Sequence, residues 1–228
     1  MKIKLLPGKA IVIGKVLVLA DIHIGFEESA IQGGMYIPKL LRDVIRDVKS
    51  IAMHENAKTL IINGDLKHSF TPLKREFFEV GTFLREVKEV VDEVILVKGN
   101  HDTGIEWIKD RFNVDIMESI EIGNWTIVHG HKEIEGNKFI IGHEHPAIRL
   151  RDEVGAIVKV PVFLRGEDII VLPAFSPWAY GNDLTLNGPI SPILRGKDIS
   201  NLEVLVTTGD ELLNFGRFSQ LIEAMKRL

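Results

Sequence analysis

Residues 94–102 read VILVKGNHD, an apolar run followed by one lysine and then by glycine, asparagine, histidine and aspartate. Residues 59–65, TLIINGD, follow the same plan, with an apolar run that leads into glycine and then aspartate. Short β-type runs separated by amphipathic stretches are typical of α/β folds. The two stretches therefore predict strands of one sheet, each with a polar, ligand-type residue just beyond its end.

The same plan recurs at three further points in the first 160 residues. The other apolar runs are residues 16–19, 125–128 and 139–141. In open α/β sheets, ligands bind in the crevice beyond the carboxyl ends of the strands, so residues from distant parts of the chain converge there. The polar residues that follow the five runs are Asp21 and His23, Asp65, Asn100 with His101 and Asp102, His129 with His131, and His143 with His145.

Each of these pieces is weak evidence on its own. Asp-x-His pairs are frequent by chance, and an aspartate or asparagine at a strand end is usually a turn or cap residue. Five such pieces in order, each behind a buried-type strand, are much harder to attribute to chance. The series therefore predicts one polar site at the strand ends.

The rest of the chain predicts helices between the runs and more strands toward the carboxyl end. Apolar residues recur at three- and four-residue steps over residues 38–54, where Pro38 suits a first helical position. Thr71 and Pro72 predict the start of a second helix that ends before residue 94. The remaining predictions are a third helix near 105–111, strands over 156–164, 168–172, 202–206 and 212–215, a long ordered loop over 173–198 and a closing helix over 219–226.

Composition narrows the class of protein. The 228 residues are 45% hydrophobic and 26% charged, which predicts a packed globule and excludes collagen-like and disordered chains. The formal net charge of −4 lacks the basic footprint of a protein that holds long duplex DNA. The absence of cysteine excludes disulfide scaffolds and thiolate zinc sites. Neither a signal segment nor an apolar run near the roughly 20 residues that span a bilayer is found, so we expect one cytoplasmic domain over residues 1–228 without a membrane partner.

The series of strand-end residues resembles the calcineurin-like metallophosphoesterases over about residues 10–175. Residues 64–70, GDLKHSF, together with the 25–28 turn and residues 172–175, are similar to the SbcD-related branch, which includes ligase-associated, PdeM-like phosphodiesterases. The resemblance implies an α/β (α+β) fold, a four-layer sandwich of two mixed β-sheets flanked by helices. Its blocks in this chain are Asp21-x-His23, Gly64-Asp65, Gly99-Asn100-His101-Asp102, His129-Gly130-His131 and Gly142-His143-x-His145.

The resemblance also implies two divalent metal ions, bridged by Asp65. The ligands it implies are Asp21, His23, Asp65 and His145 for one ion, and Asp65, Asn100, His129 and His143 for the other. Carboxylate, carbonyl and imidazole donors without thiolate suit Mn²⁺, Fe, Co, Ni or Zn²⁺ better than Ca²⁺ or an iron–sulfur cluster, and we expect Mn²⁺.

Hydrolysis at such a site is expected to proceed by attack of a metal-bridging hydroxide on phosphorus. By the resemblance, His101 is the general acid that protonates the leaving oxygen, and Asp102 would fix its tautomer; the alternative is that His101 only supports the ligands. His68 and His131 either touch substrate phosphate or orient a ligand. Arg149 either clamps a phosphate or lies on a solvated strand face.

Three functions remain open from the sequence. The first is a phosphodiesterase that acts on nucleotides or nucleic-acid ends. The second is a phosphomonoesterase or pyrophosphohydrolase of a small metabolite, which a comparison of diester and monoester substrates would separate from the first. The third, from a different class, is a non-catalytic interaction scaffold, as in the retromer subunit that uses this fold for protein binding. The sequence does not indicate the oligomeric state.

Overall fold

Two β-sheets pack face to face, and helices cover the outer face of each. The computed structural model describes residues 2–71, 73–151, 155–179 and 181–226, so Pro72 of the predicted second helix lies outside the described residues. The strands are β1 Ile3–Leu6, β2 Ala10–Ile13, β3 Val16–Leu19, β4 Thr59–Asn63, β5 Glu93–Val97, β6 Asp115–Met117, β7 Ser119–Ile122, β8 Trp125–Val128, β9 Phe139–Ile141, β10 Pro146–Arg151, β11 Ile157–Arg165, β12 Ile169–Val171, β13 Asn182–Asp183, β14 Glu203–Thr207 and β15 Leu212–Arg217. The α-helices are α1 Phe26–Gln32, α2 Leu41–His54, α3 Lys74–Val87, α4 Trp107–Phe112, α5 Pro192–Arg195 and α6 Phe218–Met225.

The first sheet contains the three strands that precede the first three groups of ligand-type residues. Its order is β1-β2-β3-β4-β5-β6, with β1 to β3 antiparallel and β3 to β6 parallel. In register, Val18 lies beside Ile61, and Ile61 lies beside Ile95. Because parallel strands are covered on both faces, they consist of almost continuous apolar residues, as in the three runs that predicted them.

The second sheet contains the other two predicted runs and is also mixed. Its order is β13-β10-β11-β12-β9-β8-β7, and β14 pairs with both β11 and β15. Strands β8, β9 and β12 are parallel neighbours, whereas β11 is antiparallel to β10, β12 and β14. The parallel part brings the carboxyl ends of β8 and β9 to one edge, so the residues after them lie together.

Three clusters of apolar side chains fill the spaces between the layers. Ile61 and Ile95 of the first sheet pack with Ile140 and Phe163 of the second, which fills the space between the sheets. A second cluster joins the first sheet to α2, α3 and α4, and a third joins the second sheet to α5 and α6. The order helix, sheet, sheet, helix confirms the predicted four-layer α/β sandwich of two mixed sheets. None of the helices among the described residues is long and apolar enough to cross a bilayer.

Several elements differ from the sequence prediction. Of residues 25–28, predicted as a turn, Gly25 caps the helix α1 and residues 26–28 form its first turn. Helix α2 starts at Leu41 rather than at Pro38, because the backbone N–H of Leu40 donates to the Glu27 carboxylate at 3.0 Å and the segment before it is held against α1. The hairpin of β1 and β2, the strand β10 and the short elements β13 and α5 within the predicted loop were not predicted. Strands β10 and β13 pair with each other across more than 30 residues, whereas β1 and β2 form a local hairpin.

Candidate metal centre

The loops after β3 and β4 are joined by their backbones at the edge of the first sheet. The N–H of Asp21 donates to the carbonyl of Gly64 at 3.1 Å, and the N–H of His23 donates to the carbonyl of Asp65 at 2.9 Å. These bonds continue the parallel pairing of β3 with β4 beyond the strand ends. The two polar pieces nearest the start of the chain are therefore fixed side by side.

Asp21, His23 and His145 form one cluster of donor atoms, within 4.8 Å of one another. The Asp21 Oδ1 lies 3.1 Å from the His145 Nε2, and the His23 Nε2 lies 3.4 Å from the same nitrogen. Asp21 is fully buried. Residues about 120 positions apart in the chain thus meet because both sheets end at this edge.

Asp65, His129 and His143 form a second cluster with the same spacing. The Asp65 Oδ2 lies 3.3 Å from the His129 Nε2, which lies 3.2 Å from the Asn100 Oδ1. The other ring nitrogen of His129 is held by the carbonyl of Asn63 at 3.0 Å. The ring is therefore oriented with its Nε2 toward the other donors.

Asp65 lies between the two clusters. Its Oδ2 is 3.9 Å from the His23 Nε2 of the first cluster and 3.3 Å from the His129 Nε2 of the second. A carboxylate in this position can donate electron pairs to two ions at once. The seven predicted ligands thus form two adjacent clusters that share one carboxylate, with Asn100 beside the second.

The backbone of this site is strained. Five of the seven predicted ligands have a left-handed backbone with φ between 45° and 60°. This conformation is unfavourable for residues with a Cβ, and such strain collects at functional sites, where the surrounding structure enforces it. The five are Asp21, His23, Asp65, His143 and His145. Their side chains therefore leave the strand ends in directions that strand alternation alone does not give.

Two glycines let the backbone approach the donors closely. A Cβ on Gly99 would lie 2.2 Å from the Asp65 Oδ1, and a Cβ on Gly64 would lie 2.0 Å from the His129 Nδ1. Gly64 also has φ +83°, which side chains rarely adopt. Glycine at these positions is therefore required by the packing of the donors.

A Gly64→Ala variant is expected to displace the His129 ring and to weaken metal binding by about 10- to 100-fold, as changes beside metal ligands do. Titration of the metal-free protein with Mn²⁺ measures this. Gly14→Ala is the matched control, because Gly14 has φ +63° but open space around its Cβ position. Equal affinities in the two variants would contradict the argument.

Burial and charge set the protonation of the donors. Burial lowers the pKa of His23 to about 3 and that of His143 to about 4, so both rings are neutral near pH 7, the form that binds metals. Burial also acts to lower the pKa of His129, but the hydrogen bond and charge of Asp65 outweigh it and raise that pKa to about 9. Burial acts in the opposite sense on Asp65, yet His129, His23 and His101 hold the pKa of its carboxyl well below the usual range.

These donors fit a pair of divalent cations. Asp21 and Asp65 are both buried, and within the described part of the chain neither forms an ion pair with a lysine or arginine. Among the described residues the two carboxylates form ion pairs only with histidines, whose deprotonated rings are themselves metal ligands, and buried charges are normally paired or coordinate metals. Oxygen and imidazole donors without thiolate are the set expected for Mn²⁺, Fe, Co, Ni or Zn²⁺.

His101 lies at the edge of the site, with its side chain partly exposed. Its Nε2 is 3.9 Å from the Asp65 Oδ2, and its Nδ1 contacts the carbonyl oxygen of His68. Because a carbonyl only accepts, the proton of the neutral ring lies on Nδ1. The backbone of His68, rather than Asp102, therefore fixes the His101 tautomer, which differs from the sequence expectation.

Asp102 instead ties two loops together. Its buried carboxylate accepts from the backbone N–H groups of Asp65 at 2.9 Å, Leu66 at 3.0 Å and Gly99 at 2.9 Å. Burial raises its pKa to about 6, and the nearby charge of Asp65 adds to this effect. Asp102 thus positions the loop that carries Asp65.

The three residues predicted to bind substrate lie in different surroundings. His68 is beside the first cluster, with its Nδ1 3.4 Å from the His23 Nδ1. The ring of His131 is centred 5.2 Å from that of His129, and its buried Nδ1 has no hydrogen-bond partner among the described residues. Arg149 pairs with Asp183 at 2.8 Å, so its guanidinium already has a carboxylate partner.

Two residues that support the candidate metal centre were not predicted from the sequence. Lys67 is 1% exposed, and its ammonium donates to the carbonyls of Ser69 and His101. Glu144 is fully buried between two ligands and accepts from the backbone N–H of Ser191 at 2.8 Å. The signal available in the sequence was a lysine and a glutamate among residues predicted to bind metal. Which backbone groups they support is visible only from the tertiary contacts.

The two donor clusters at the strand ends form a site that could hold two divalent metal ions. The family model of the calcineurin-like phosphoesterases matches residues 14–200. The chain belongs to this family, and it is a metal-dependent phosphoesterase. No curated protein matches the chain significantly.

Two solved structures are similar to the chain over different lengths. The crystal structure of the nuclease MPE from Pseudomonas putida is similar over 93% of this chain and 94% of that chain, with a TM-score of 0.70 and 21% identity. A protein of unknown function from Aquifex aeolicus is 20% identical over 56% of this chain and 77% of that one, with a TM-score of 0.38. The first likeness supports the fold.

Proposed function

We propose that the protein is a binuclear phosphodiesterase that hydrolyses nucleotides or the ends of nucleic acids. The observation that carries the proposal is the position of the Asp65 Oδ2 between His23 and His129, one from each donor cluster. A shared carboxylate favours two ions held side by side over a single ion. Two-metal sites of this kind catalyse in-line displacement at phosphorus.

The proposed cofactor is a pair of divalent ions, with Mn²⁺ as the first candidate. Asp21, His23, Asp65 and His145 would hold one ion, and Asp65, Asn100, His129 and His143 would hold the other. When bound, such a pair supplies Lewis acidity and lowers the pKa of water so that hydrolysis proceeds at neutral pH. The remaining positive charge would attract an anionic phosphate.

His101 is proposed to donate a proton to the leaving oxygen. Its Nδ1 is committed to the carbonyl of His68, so the Nε2 is the nitrogen left for the site. In the imidazolium form this Nε2–H can protonate an alkoxide as it departs. Lys67 fixes the His101 backbone from the opposite side through the carbonyl oxygen. Both contacts restrict the ring and make His101 a positioned acid.

An exposed aromatic ring beside His101 supports a nucleoside as the leaving group. The Phe70 ring is centred 4.0 Å from the His101 ring, and the residue is 57% exposed. Exposed aromatic rings stack nucleobases with little dependence on sequence. The description of the Pseudomonas putida protein as a nuclease makes nucleic-acid ends a substrate to test early.

The test compares hydrolysis of bis-p-nitrophenyl phosphate with that of p-nitrophenyl phosphate by chelator-stripped protein. We expect no turnover until Mn²⁺ is added back. We then expect a higher kcat/KM for the diester, because its second aromatic ester group occupies the place of the nucleoside that the exposed Phe70 ring would stack. A series with Mn²⁺, Fe²⁺, Co²⁺, Ni²⁺ and Zn²⁺ then ranks the metals.

Two outcomes would overturn the proposal. A preference for the monoester would assign the same centre to a small-metabolite phosphomonoesterase or pyrophosphohydrolase. Bound metal without turnover of either substrate would favour the interaction scaffold. In that case, partners that bind the unaltered protein and an Asp65→Asn variant equally well would be sought.

A further inference from the structure

A cavity of about 190 Å³ lies directly beside the metal centre, and the proposed function does not use it. His145, a ligand of the first cluster, forms part of its wall, and so does Ala174, which pairs with Ala20 next to Asp21. Its volume is far above the roughly 10–15 Å³ that holds one water molecule. The cavity is therefore large enough for a group of the substrate other than the one at the metals.

Two lysines, Lys9 and Lys159, supply the charge of this cavity. The rest of its described wall is alanine, proline and glycine apart from His145, and no carboxylate lines it there. Lys159 is exposed, and its ammonium donates to the carbonyl of Gly181 at 3.1 Å. A small, apolar-walled cavity with two ammonium groups selects for an anion.

Of the two lysines, Lys9 gives the stronger evidence for a bound anion. It is partly buried, and its ammonium forms neither an ion pair nor a hydrogen bond with any residue that the structure describes. Burial lowers its pKa, and no carboxylate counteracts that effect. An unpaired, partly buried ammonium is costly, so an anionic ligand would relieve a cost that the protein alone leaves uncompensated.

The hairpin places Lys9 at the same edge as the metal ligands. Strand β2 begins at Ala10 and runs antiparallel to β3, so its first residue lies near the carboxyl end of β3. Lys9 is the third residue of the loop 7–9 and has φ 59°, a conformation that hairpins usually assign to glycine or asparagine. A lysine at this position therefore needs a reason other than turn formation.

A second, larger cavity on the other side of Lys9 does not suit an anion. It has a volume of about 520 Å³, and its wall includes Asp43, Asp47 and Asp210. These carboxylates would repel a phosphate. Of the two cavities that Lys9 lines, only the one beside His145 combines positive charge with contact to the metal centre.

We propose that Lys9 and Lys159 bind a non-scissile phosphate of the substrate in the cavity beside His145. This inference rests on the proposed function, because the scissile phosphate is taken to lie at the metal pair. It narrows the substrate class to molecules that carry a second phosphate near the bond to be cleaved. Oligonucleotides and nucleotides with an additional terminal phosphate fulfil this requirement.

The test uses two chromogenic substrates that differ by one phosphate. They are the p-nitrophenyl ester of thymidine 5′-phosphate and the same ester with an added 3′-phosphate. For Lys9→Gln we expect the ratio of the kcat/KM values, phosphorylated over unphosphorylated, to fall about tenfold or more, the scale of a lost hydrogen bond to a charged group. Lys9→Arg, which keeps the charge, is expected to retain most of the ratio.

Lys58→Gln is the matched control. Lys58 pairs with Asp92 at 3.5 Å just before β4, at the opposite end of the strands, so its loss is expected to leave the ratio unchanged. Equal ratios in the unaltered protein and in Lys9→Gln would overturn the inference while leaving the phosphodiesterase function intact. A fall of the kcat/KM ratio by the same factor in Lys58→Gln would also overturn the inference.

A binding measurement separates this inference from the proposed function. Calorimetry of the Mn²⁺-loaded protein compares thymidine 3′,5′-bisphosphate with thymidine 5′-monophosphate. Tighter binding of the bisphosphate that is lost in Lys9→Gln supports the cavity even when neither ester is hydrolysed, in which case the proposed function alone fails. Equal affinity for both nucleotides in the unaltered protein overturns the inference.

Discussion

An Asp65→Asn variant is expected to lose both metal ions and at least about 1,000-fold in kcat/KM for bis-p-nitrophenyl phosphate, the upper range for removal of one electrostatic contact in an active site. The Asp65 carboxylate lies between His23 and His129 and is held ionised by the histidines around it. An amide keeps the shape of this group but removes the charge that two cations would share. Metal content after dialysis and steady-state kinetics measure the two effects.

The control for this variant is Asp92→Asn. The Asp92 side chain is 74% exposed and pairs only weakly with Lys58, so neither metal content nor turnover is expected to change. Circular dichroism of both variants checks that the fold is kept. Retention of two ions per chain by Asp65→Asn, with turnover within tenfold of the unaltered protein, would contradict a bridging role.

A His101→Ala variant is expected to keep both ions and to lose about 100- to 10,000-fold in turnover of substrates with poor leaving groups, as removal of a general acid does. The loss should be smaller for p-nitrophenyl esters, because p-nitrophenolate leaves without protonation. The closest contact of His101 with Asp65 is its backbone N–H, which donates to the Asp65 Oδ1 at 2.9 Å and is kept in His101→Ala, so we expect the predicted metal ligands to stay in place. Measurements with p-nitrophenyl and alkyl esters of one nucleotide give the comparison.

His54→Ala is the control for the loss of a histidine. The His54 side chain is 83% exposed at the end of α2, far from the strand ends that carry the donors. Its replacement should leave turnover of both esters unchanged. A His101→Ala variant with equal losses for both leaving groups would show that His101 stabilises charge or supports the ligands instead of donating a proton.

The buried strands could be predicted from the sequence, whereas the edges of the fold could not. Runs such as residues 60–62 and 94–97 are apolar throughout because both faces of these strands are covered, and that pattern is visible without a structure. Helix α1 and the true start of α2 depend instead on the Glu27 carboxylate, which accepts from the backbone of Leu40. A contact between segments 13 residues apart leaves no periodic signal.

The sequence by itself determined the order of the donors and their placement after the strands, because strand ends and residue types are local properties. Which donors meet, and how, depended on the tertiary structure. Sheet pairing joins the loops of Asp21 and Asp65, and five of the predicted ligands have a left-handed backbone that redirects their side chains. Burial lowers the pKa of His23 to about 3, whereas the Asp65 carboxylate raises that of His129 to about 9 against the effect of burial, because exclusion of water and distance to a carboxylate exist only in the folded chain.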